Sequence, residues 1–425
     1  MTDFLPYVVA AMLLIVVLGY FNEKKTKLTY EIALMLFSLI LGGLLVVLEI
    51  ATDNKELYEA LEQIVTFDLE DYLMNGVLCF MLFSGSCHMK LADFGKLKRQ
   101  ITVLSIFATL LGALFYGGLF FLISYALGLG LSFPVCLMFG SIISPTDPIA
   151  ATSILNKFGL PKDISFLIES ESLLNDGVGV ALFVCFKGMV TASKGGGFLA
   201  VMIREIAGAL VVGVVATLIC FYFFYKTEDK ARQIFSSILA VSLSYLTCTL
   251  LDFSGAIASV VCGVLFSALI NYYGQKGKSW DLTEFDIFWE IVDNLLNSIL
   301  YVILGLTFIK ILGTPYVIIV SLAAIICNLL GRGGSLAACT FFMGEIPDGY
   351  DRWSFVKLLT WGGLRGALCI ALAMSTNSLV SEDIYKIILG GTYAAVAFTT
   401  IVQGLTMSRV YSRIDKTVKK REIRS

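Results

Sequence analysis

Charge is scarce in this chain of 425 residues. Only 15% of its side chains are charged, against about 25% in a typical soluble globular protein. Hydrophobic residues make up 57% of the sequence, and apolar runs recur with the length of about 20 residues that spans a bilayer as a helix. The formal net charge is −2, so there is no excess of positive charge to attract nucleic acid. The composition predicts an all-α polytopic membrane protein.

Histidine and paired cysteines are also rare or absent. One histidine, His88, excludes His-rich metal sites and most nucleophile–base triads. The ten cysteines lie singly within apolar runs and form no CxxC pair, which is typical of small apolar core residues rather than of a disulfide framework. We therefore expect no cofactor. His88 lies near the inner end of the third apolar run, where interfacial packing is favoured over a role as a pH sensor.

The lengths of the apolar runs predict about thirteen transmembrane helices. They cover residues 4–21, 28–48, 71–89, 101–126, 132–155, 164–190, 198–225, 233–251, 255–272, 291–312, 315–343, 353–376 and 385–408. We interpret residues 49–70 as a loop or interfacial segment, 274–290 as an amphipathic connector and 409–425 as a short basic tail.

The 31 lysine and arginine residues predict the orientation of these helices. Most of them fall in alternate loops and in the C-terminal tail, and cytoplasmic loops carry the positive excess. An odd number of spans places the termini on opposite sides. We therefore expect a cell-membrane protein with the N-terminus outside and the C-terminus in the cytoplasm. The first apolar run follows Asp3 and no basic residue, so it is better interpreted as a retained helix than as a signal peptide.

Two prolines interrupt the fifth span, in Ser144-Pro145-Thr146-Asp147-Pro148. Proline lacks an N–H group and clashes with the preceding turn, and irregular backbone at membrane depth is tolerated only where it is buried in protein or lines a cavity. Asp147 can neutralise the positive helix end that such a break exposes, and Thr146 offers a hydroxyl and a carbonyl oxygen to a cation. The alternative is a simple proline kink with a capping aspartate.

Three glycines surround Arg365 in the twelfth span, within residues 361–367. They suggest a second unwound stretch, in which Arg365 can compensate negative helix ends. The two breaks lie seven spans apart, so they run in opposite directions across the membrane. Interruptions at matching positions of two inverted halves are the best sequence indication of a transporter site. Close helix packing by the glycines is the alternative.

Acidic and polar residues cluster in the sixth span, where each acid at the bilayer centre costs about 2.5–3.5 kcal/mol. On a helix, Glu171, Ser172, Asn175 and Asp176 fall within a sector of about 140°. Asp176 lies deepest among the apolar residues of this span. We therefore predict that Asp176 binds the transported metal ion, Na⁺. Asn175 is expected to hydrogen-bond the break near Thr146, and Ser172 to supply a further oxygen.

Arg332, a second arginine within a span, needs a carboxylate partner if it is buried. Glu171 is the predicted partner, which leaves Asp176 available for an ion. Snorkelling of Arg332 to a membrane interface is the alternative. Glu169 lies nearer the cytoplasmic end of the sixth span and is a candidate for the access path.

These motifs together resemble the cation–proton antiporters of the NhaP/NHE type. The break at 146–148, the run at 171–176, Arg332 and the stretch at 362–367 occur in the order of that family and cover nearly the whole chain. The resemblance implies inverted repeats with two crossed, interrupted helices, in a homodimer. It divides the chain into scaffold helices (1–100 and 231–312), transport-core helices (101–190 and 313–408), a linker helix (191–230) and a cytoplasmic basic tail (409–425).

The resemblance also bears on the ion and the stoichiometry. It implies exchange of a monovalent cation (Na⁺, with Li⁺ or K⁺ as alternatives) for H⁺ by alternating access. The Asn175–Asp176 pair resembles the branch described as electroneutral, and the family supports Glu171–Arg332 as a structural ion pair. Many bacterial relatives carry an acid where this chain has Ser84. Cation preference and pH response stay open for that reason, and Ser84 and His88 are candidates for the access path or for pH sensing.

A single carboxylate provides the expected coupling, because Asp176 cannot hold a proton and a cation together. Exchange is obligatory if the core moves only when Asp176 is neutralised. Two other classes stay open: an ion channel that uses the same polar helices, and a membrane aspartyl protease in which Asp147 and Asp176 share a proton. Strict coupling of the two fluxes would exclude the channel. The protease leaves Arg332 and Arg365 unexplained.

Overall fold

A computed structural model describes most of the chain. The described residues are 4–52, 78–87, 91–147, 151, 155, 159–191, 198–312, 316–347 and 350–422. Across these ranges the regular structure is helical and no strand occurs. The prediction of an all-α membrane fold is confirmed.

Eight helices make up the first half of the described chain. They are α1 (Phe4–Phe21), α2 (Tyr30–Thr52), α3 (Leu78–Cys87), α4 (Leu91–Thr102), α5 (Thr109–Leu127), α6 (Phe133–Ile143), α7 (Lys162–Thr191) and α8 (Phe198–Lys226). Eight more follow: α9 (Lys230–Leu250), α10 (Gly255–Gln275), α11 (Thr283–Leu312), α12 (Val317–Cys339), α13 (Arg352–Trp361), α14 (Ala367–Met374), α15 (Glu382–Ala397) and α16 (Gly404–Glu422). Wider π-helical turns extend α1 and join α4 to α5 and α15 to α16; they cover Asn22–Thr26, Val103–Ala108 and Phe398–Gln403.

The described helices include 8 that are long and apolar enough to cross a membrane, or up to 9 if α1 and α2, which meet at a bend of 110°, count as one further span. Helices α3 and α6 are apolar but shorter, and α13 and α14 are two short pieces on either side of a break. The multi-pass architecture is thus confirmed, while the number thirteen stays a prediction.

Local sequence signals fix several helix ends. The side chains of Asp229, Ser254 and Asp351 each accept a hydrogen bond from the backbone N–H three residues later, which satisfies a donor that the first helical turn leaves unpaired. Gly128 ends α5 in the left-handed region, with φ of 68°, where glycine carries no steric penalty. This turn leads the chain back into α6 beside α5.

The prediction of an amphipathic connector over residues 274–290 is wrong in its second half. Helix α11 begins at Thr283, with two acidic residues in its first turn, where they complement the positive helix end. Phe285 and Trp289 are buried within an aromatic cluster. Burial of these rings extends the helix well beyond its purely apolar stretch. The length of the apolar run alone therefore does not predict where this helix begins.

The helices pack in two groups. Helices α2, α3, α9, α10 and α11 contact one another, with α8 against α9 and α10, while α5, α6, α7, α12 and α15 form the other set. Small residues bring backbones together in both: a Cβ on Gly42 of α2 would lie 2.9 Å from the carbonyl oxygen of Gly305 in α11, and Gly140 of α6 packs on the carbonyl of Ala113 in α5. The division into a scaffold and a mobile core stays a prediction.

Candidate functional site

The two predicted breaks are present and touch each other. Helix α6 ends at Ile143 and is followed by non-helical backbone through Asp147; α13 and α14 are separated by a second non-helical stretch. The backbone N–H of Asp147 donates to the carbonyl of Leu364, at 2.8 Å. A simple proline kink or glycines that serve only helix packing would not join two non-helical segments by a backbone hydrogen bond, so both alternatives are wrong. Pro148 lies outside the described residues.

Arg365 lies at the carboxyl end of α6. Its Nη1 donates to the carbonyl oxygens of Ser144 and Pro145, at 2.6 and 3.0 Å, and its Nε and Nη2 donate to Oδ1 of Asn328, at 3.0 and 2.7 Å. The guanidinium is buried. Its positive charge therefore faces carbonyl groups that carry the negative end of a helix dipole.

Asp147 lies at the opposite kind of helix end. Gly366 is the N-cap of α14, and a Cβ built on it would lie 3.2 Å from Oδ2 of Asp147. A carboxylate beside the amino end of a helix is electrostatically favourable. Each broken chain thus carries a charge that complements the helix end belonging to the other.

A π-helical turn supports the second break. The N–H of Arg365 donates to Oγ1 of Thr399, at 3.1 Å, and Thr400 donates to the carbonyl of Arg365, at 3.5 Å. Both threonines lie in the turn Phe398–Gln403, and such turns are frequent at functional sites. The sequence analysis missed Thr399, Thr400 and Asn328. The only available signal was the polarity of Asn328 within an apolar run.

Asn175 connects α7 to the first break. Its Nδ2 donates to Oγ1 of Thr146, at 2.7 Å, and to Oε1 of Glu171, at 2.9 Å, and its Oδ1 accepts from the N–H of Thr146, at 3.1 Å. Oγ of Ser172 lies 2.9 Å from Oγ1 of Thr146. All four residues are buried. The predicted bond between Asn175 and the break is present, and it holds the break against α7.

Glu171 and Arg332 form a bidentate ion pair. Nη1 and Nη2 of Arg332 donate to the two carboxylate oxygens of Glu171, at 2.9 and 3.1 Å. The side chain of Arg332 is 6% exposed and that of Glu171 is 1% exposed, so the snorkelling alternative for Arg332 is wrong. Charge-assisted bonds with this fork geometry are among the strongest polar contacts in proteins. The negative charge of Glu171 is therefore already balanced.

Asp176 differs from the other acids of the site. It is half-buried, and across the described residues no side chain or backbone N–H donates a hydrogen bond to it. The carboxylates of Asp147, Asp293 and Glu171 lie close enough to interact with it electrostatically. Its oxygens are therefore available to a proton or to a cation, next in the chain to the buried hydrogen-bond network of Asn175.

A polar pocket on the other side of Asp147 was not predicted. Tyr301 of α11 donates to Oδ2 of Asp147, at 3.1 Å. The pocket beside it is lined partly by Glu31, Asn294 and Asn297, and Asn297 donates to nearby Asp293, at 3.0 Å. The sequence did contain a signal, because acids at 31 and 293 fall within apolar spans.

The remaining candidates are placed less favourably or not at all. Ser84 is buried and donates to the carbonyl of Trp289, at 2.8 Å, and Glu169 accepts from Ser165, at 3.1 Å. Their role in an access path stays a prediction. His88 lies outside the described residues. The described part of the chain contains no group of three or more His, Cys, Asp or Glu side chains that could hold a metal ion.

Crossed, interrupted helices around a membrane carboxylate define a secondary transporter. The model of the family described as "Sodium/hydrogen exchanger, transmembrane" matches residues 11–413. The chain belongs to this family. The family consists of transporters, for which ions are substrates rather than cofactors. The protease alternative is therefore wrong.

Curated relatives cover most of the chain. The Na⁺/H⁺ antiporter NhaP of Pseudomonas aeruginosa is 29% identical over 96% of this chain and 97% of its own length. The antiporter NhaG of Bacillus atrophaeus is 28% identical over 92% of this chain and 71% of its own length. The antiporter NhaH of Halobacillus dabanensis is 31% identical over 72% and 76% of the two chains.

The fold is similar to that of a solved structure. The sodium proton antiporter MjNhaP1 of Methanocaldococcus jannaschii superposes with a TM-score of 0.78, over 96% of this chain and 98% of that chain, at 19% identity. At this identity the likeness bears on the fold alone. It confirms the predicted antiporter fold.

Proposed function

We propose that this protein exchanges Na⁺ for H⁺ across the cell membrane, one for one. The observation that carries the proposal is the state of Asp176: it is half-buried at the crossing of two broken helices and accepts no hydrogen bond from the described residues. The three curated relatives named above are all Na⁺/H⁺ antiporters, which supports this choice of ions.

Competition for one carboxylate explains the coupling. Either Na⁺ or H⁺ neutralises the single charge of Asp176, and the two cannot bind at once. Hard cations favour oxygen ligands, which Asp176 offers directly and which Thr146 and Ser172 can add. Glu171 does not compete, because Arg332 already holds both of its oxygens. One Na⁺ crosses the membrane in one direction for each H⁺ that crosses in the other, so the exchange moves no net charge and is electroneutral.

Alternating access accounts for release on either side. In this scheme α5, α6, α7 and α12 to α15 form the core, which moves against a scaffold built around α2, α3 and α9 to α11. Two apolar contacts between the groups support sliding: Val260 of α10 packs on Gly177, and Leu173 of α7 lies beside Gly85 of α3. The hydrogen bond from Tyr301 to Asp147 joins the two groups and has to break when the core moves.

Glu31 and Asp293 supply the cation route in this proposal. They flank the pocket between α2 and α11 that reaches Asp147, and their charge concentrates cations next to the site. We further propose a homodimer with the N-terminus outside and the C-terminus in the cytoplasm. The bias of basic residues supports the orientation, and the resemblance to NhaP-type antiporters supports the homodimer.

The test is cation-driven proton flux in proteoliposomes that contain a pH-reporting dye. Added Na⁺, Li⁺ or K⁺ should alkalinise the lumen of vesicles with the wild type, without dependence on membrane voltage, and the response identifies the cation. Asp176→Asn should abolish it. The matched control is Asp163→Asn, which removes a carboxylate from the first turn of the same helix and should retain exchange. Sodium-dependent proton flux in Asp176→Asn would refute the assignment, and conductance without coupled proton flux would favour a channel.

A further inference from the structure

A small cavity lies between α5, α12 and the end of α6. The volume that the centre of a water molecule can occupy in this cavity is about 10 Å³. This is room for one water. Its polar lining consists of Thr109, Tyr116, Ser144, Asn328, Arg332 and Arg365. The cavity therefore adjoins the ion pair and the break without including Asp176.

Glycines account for the close helix approach that encloses this space. A Cβ on Gly331 of α12 would lie 3.3 Å from the backbone nitrogen of Tyr116, and a Cβ on Gly112 of α5 would lie 3.5 Å from Oγ of Ser335. The backbones of α5 and α12 pack tightly there. Longer side chains on either side leave a gap between the polar groups that they carry.

Two hydroxyl groups on the cavity wall have no partner in the described part of the chain. Oγ1 of Thr109 and Oη of Tyr116 are buried, each in a residue that is 2% exposed, and neither makes a hydrogen bond. Nε of Arg332 is also without an acceptor. Buried polar groups are almost always hydrogen-bonded, so three such atoms in residues that line one cavity require an explanation.

The helix geometry directs both hydroxyls to the same place. Thr109 and Tyr116 are seven residues apart, which is two turns on one face of α5. A helical tyrosine leans towards the amino end of its helix, which is the side of Tyr116 on which Thr109 lies, and both residues line the cavity. Arg332 and Arg365 line the same cavity.

We propose that an ordered water molecule binds in this cavity and links the hydroxyls of α5 to the arginines. A water accepts hydrogen bonds from guanidinium N–H groups and donates its two hydrogens to the hydroxyl oxygens, which matches the lining. The water fastens α5 to α12 beside the ion pair. This inference does not depend on which ion the protein transports. A halide could also accept bonds from arginines, but the space is that of one water.

The sign of a stability change tests the proposal on the full-length purified protein. Tyr116→Phe and Thr109→Val each remove a hydroxyl and keep the shape. If both hydroxyls bind the water, each substitution should lower the melting temperature by about 2 °C, and the double variant should lose less than the sum, because the groups share a partner. Removal of hydroxyls that truly lack a partner leaves stability unchanged or raises it, and that result would overturn the proposal.

Ser38→Ala is the matched control, because Ser38 is a buried residue of α2 that does not line this cavity and whose hydroxyl has no partner among the described residues. It should not lower the melting temperature and should add independently to Tyr116→Phe. An equal loss in the control would contradict the proposal.

Direct evidence comes from cryo-electron microscopy of the protein in lipid nanodiscs, at a resolution that resolves ordered water. A peak within hydrogen-bond distance of Tyr116 and of one arginine is expected, and it should be absent in the double variant. No peak would overturn the proposal. So would a melting temperature that responds to replacement of chloride by gluconate at constant ionic strength, because that response identifies a halide.

Discussion

Glu171 and Asp176 illustrate how neighbouring carboxylates on one helix acquire different roles. They are five residues apart on α7, yet Glu171 is buried with both oxygens held by Arg332, while Asp176 is half-buried and accepts no hydrogen bond from the described residues. The first group is fixed in charge and position. The second is the one that we propose a proton or a cation neutralises.

Removal of Arg332 tests the first of these roles. Arg332→Ala leaves Glu171 buried without its counter-charge, which should destabilise the protein by about 3–5 kcal/mol. The measurement is thermal unfolding in detergent. A melting temperature equal to that of the wild type would contradict the structural importance of the pair.

The double variant Glu171→Gln/Arg332→Met is the informative control. It removes both charges and keeps similar side-chain volumes. Replacement of a whole buried pair is often nearly neutral, so the double variant should melt well above Arg332→Ala. If the two melt alike, the loss is due to packing rather than to an unpaired charge.

Tyr301→Phe tests the contact between the two helix groups. The substitution removes one hydrogen bond to a carboxylate, a bond worth about 1.5–3 kcal/mol, and keeps the ring. It should favour the orientation in which the bond is broken, and so change the KM for Na⁺ unequally on the two sides of the membrane. Tyr30→Phe, in the same pocket, is the control and should match the wild type. Equal shifts on both sides would show that Tyr301 does not favour one orientation.

At the scale of helices, the crossing depends on the missing side chain of Gly366. A Cβ there would lie 3.0 Å from Cβ of Asp147, so Gly366→Ala should displace Asp147 and slow exchange, while folding is retained. Gly274→Ala is the control, because no atom lies within 4 Å of its added Cβ and alanine favours a helix. Unchanged turnover in Gly366→Ala, measured in proteoliposomes, would contradict the account of the crossing.

An exposed ion-pair cluster joins α9 to α11. Nζ of Lys230 lies 2.6 Å from Asp281 and 2.5 Å from Glu284, and the hydrogen bond from Lys230 lowers the pKa of Asp281 to about 2. A lowered carboxyl pKa stabilises the folded state above the unfolded value of about 3.9 and loses that effect as the pH falls towards 2.

The stability difference between the wild type and Lys230→Ala should therefore be small, because the pair is exposed, and constant from about pH 5 to pH 9. Melting curves across this range provide the measurement. A difference that changes steeply near neutral pH would assign the effect to another titrating group.

Helix existence and the two breaks could be predicted from the sequence, because apolar run length and proline are local signals. The contacts of Asn175 with Thr146 and of Glu171 with Arg332 could also be predicted, since buried charge and buried amides demand partners. The roles of Asn328, Thr399 and Tyr301 could not. Their positions depend on which helices meet at the crossing, and that is decided by packing of the whole bundle. The start of α11 was missed because its buried aromatic rings alternate with charged residues.

At the scale of the molecule, the two packed helix groups meet at apolar contacts such as that of Val260 with Gly177, and a hydrogen bond from Tyr301 reaches the crossing. In the mechanism we propose, such an arrangement suits a core that changes sides while its own network stays intact. The network from Arg332 through Glu171 and Asn175 to Thr146 lies within one group. Movement between the groups therefore need not disturb the geometry around Asp176.

The central claim is that Na⁺ and H⁺ compete for Asp176. The most direct test is uptake of radioactive sodium into proteoliposomes with equal pH on both sides, measured at a series of pH values. Competition predicts that the KM for Na⁺ rises as the pH falls, approaching about tenfold per pH unit once the site is mainly protonated, while the maximal rate does not fall. A maximal rate that decreases as the pH falls, at a constant KM, would contradict the claim, because protons would then act at a site separate from the cation.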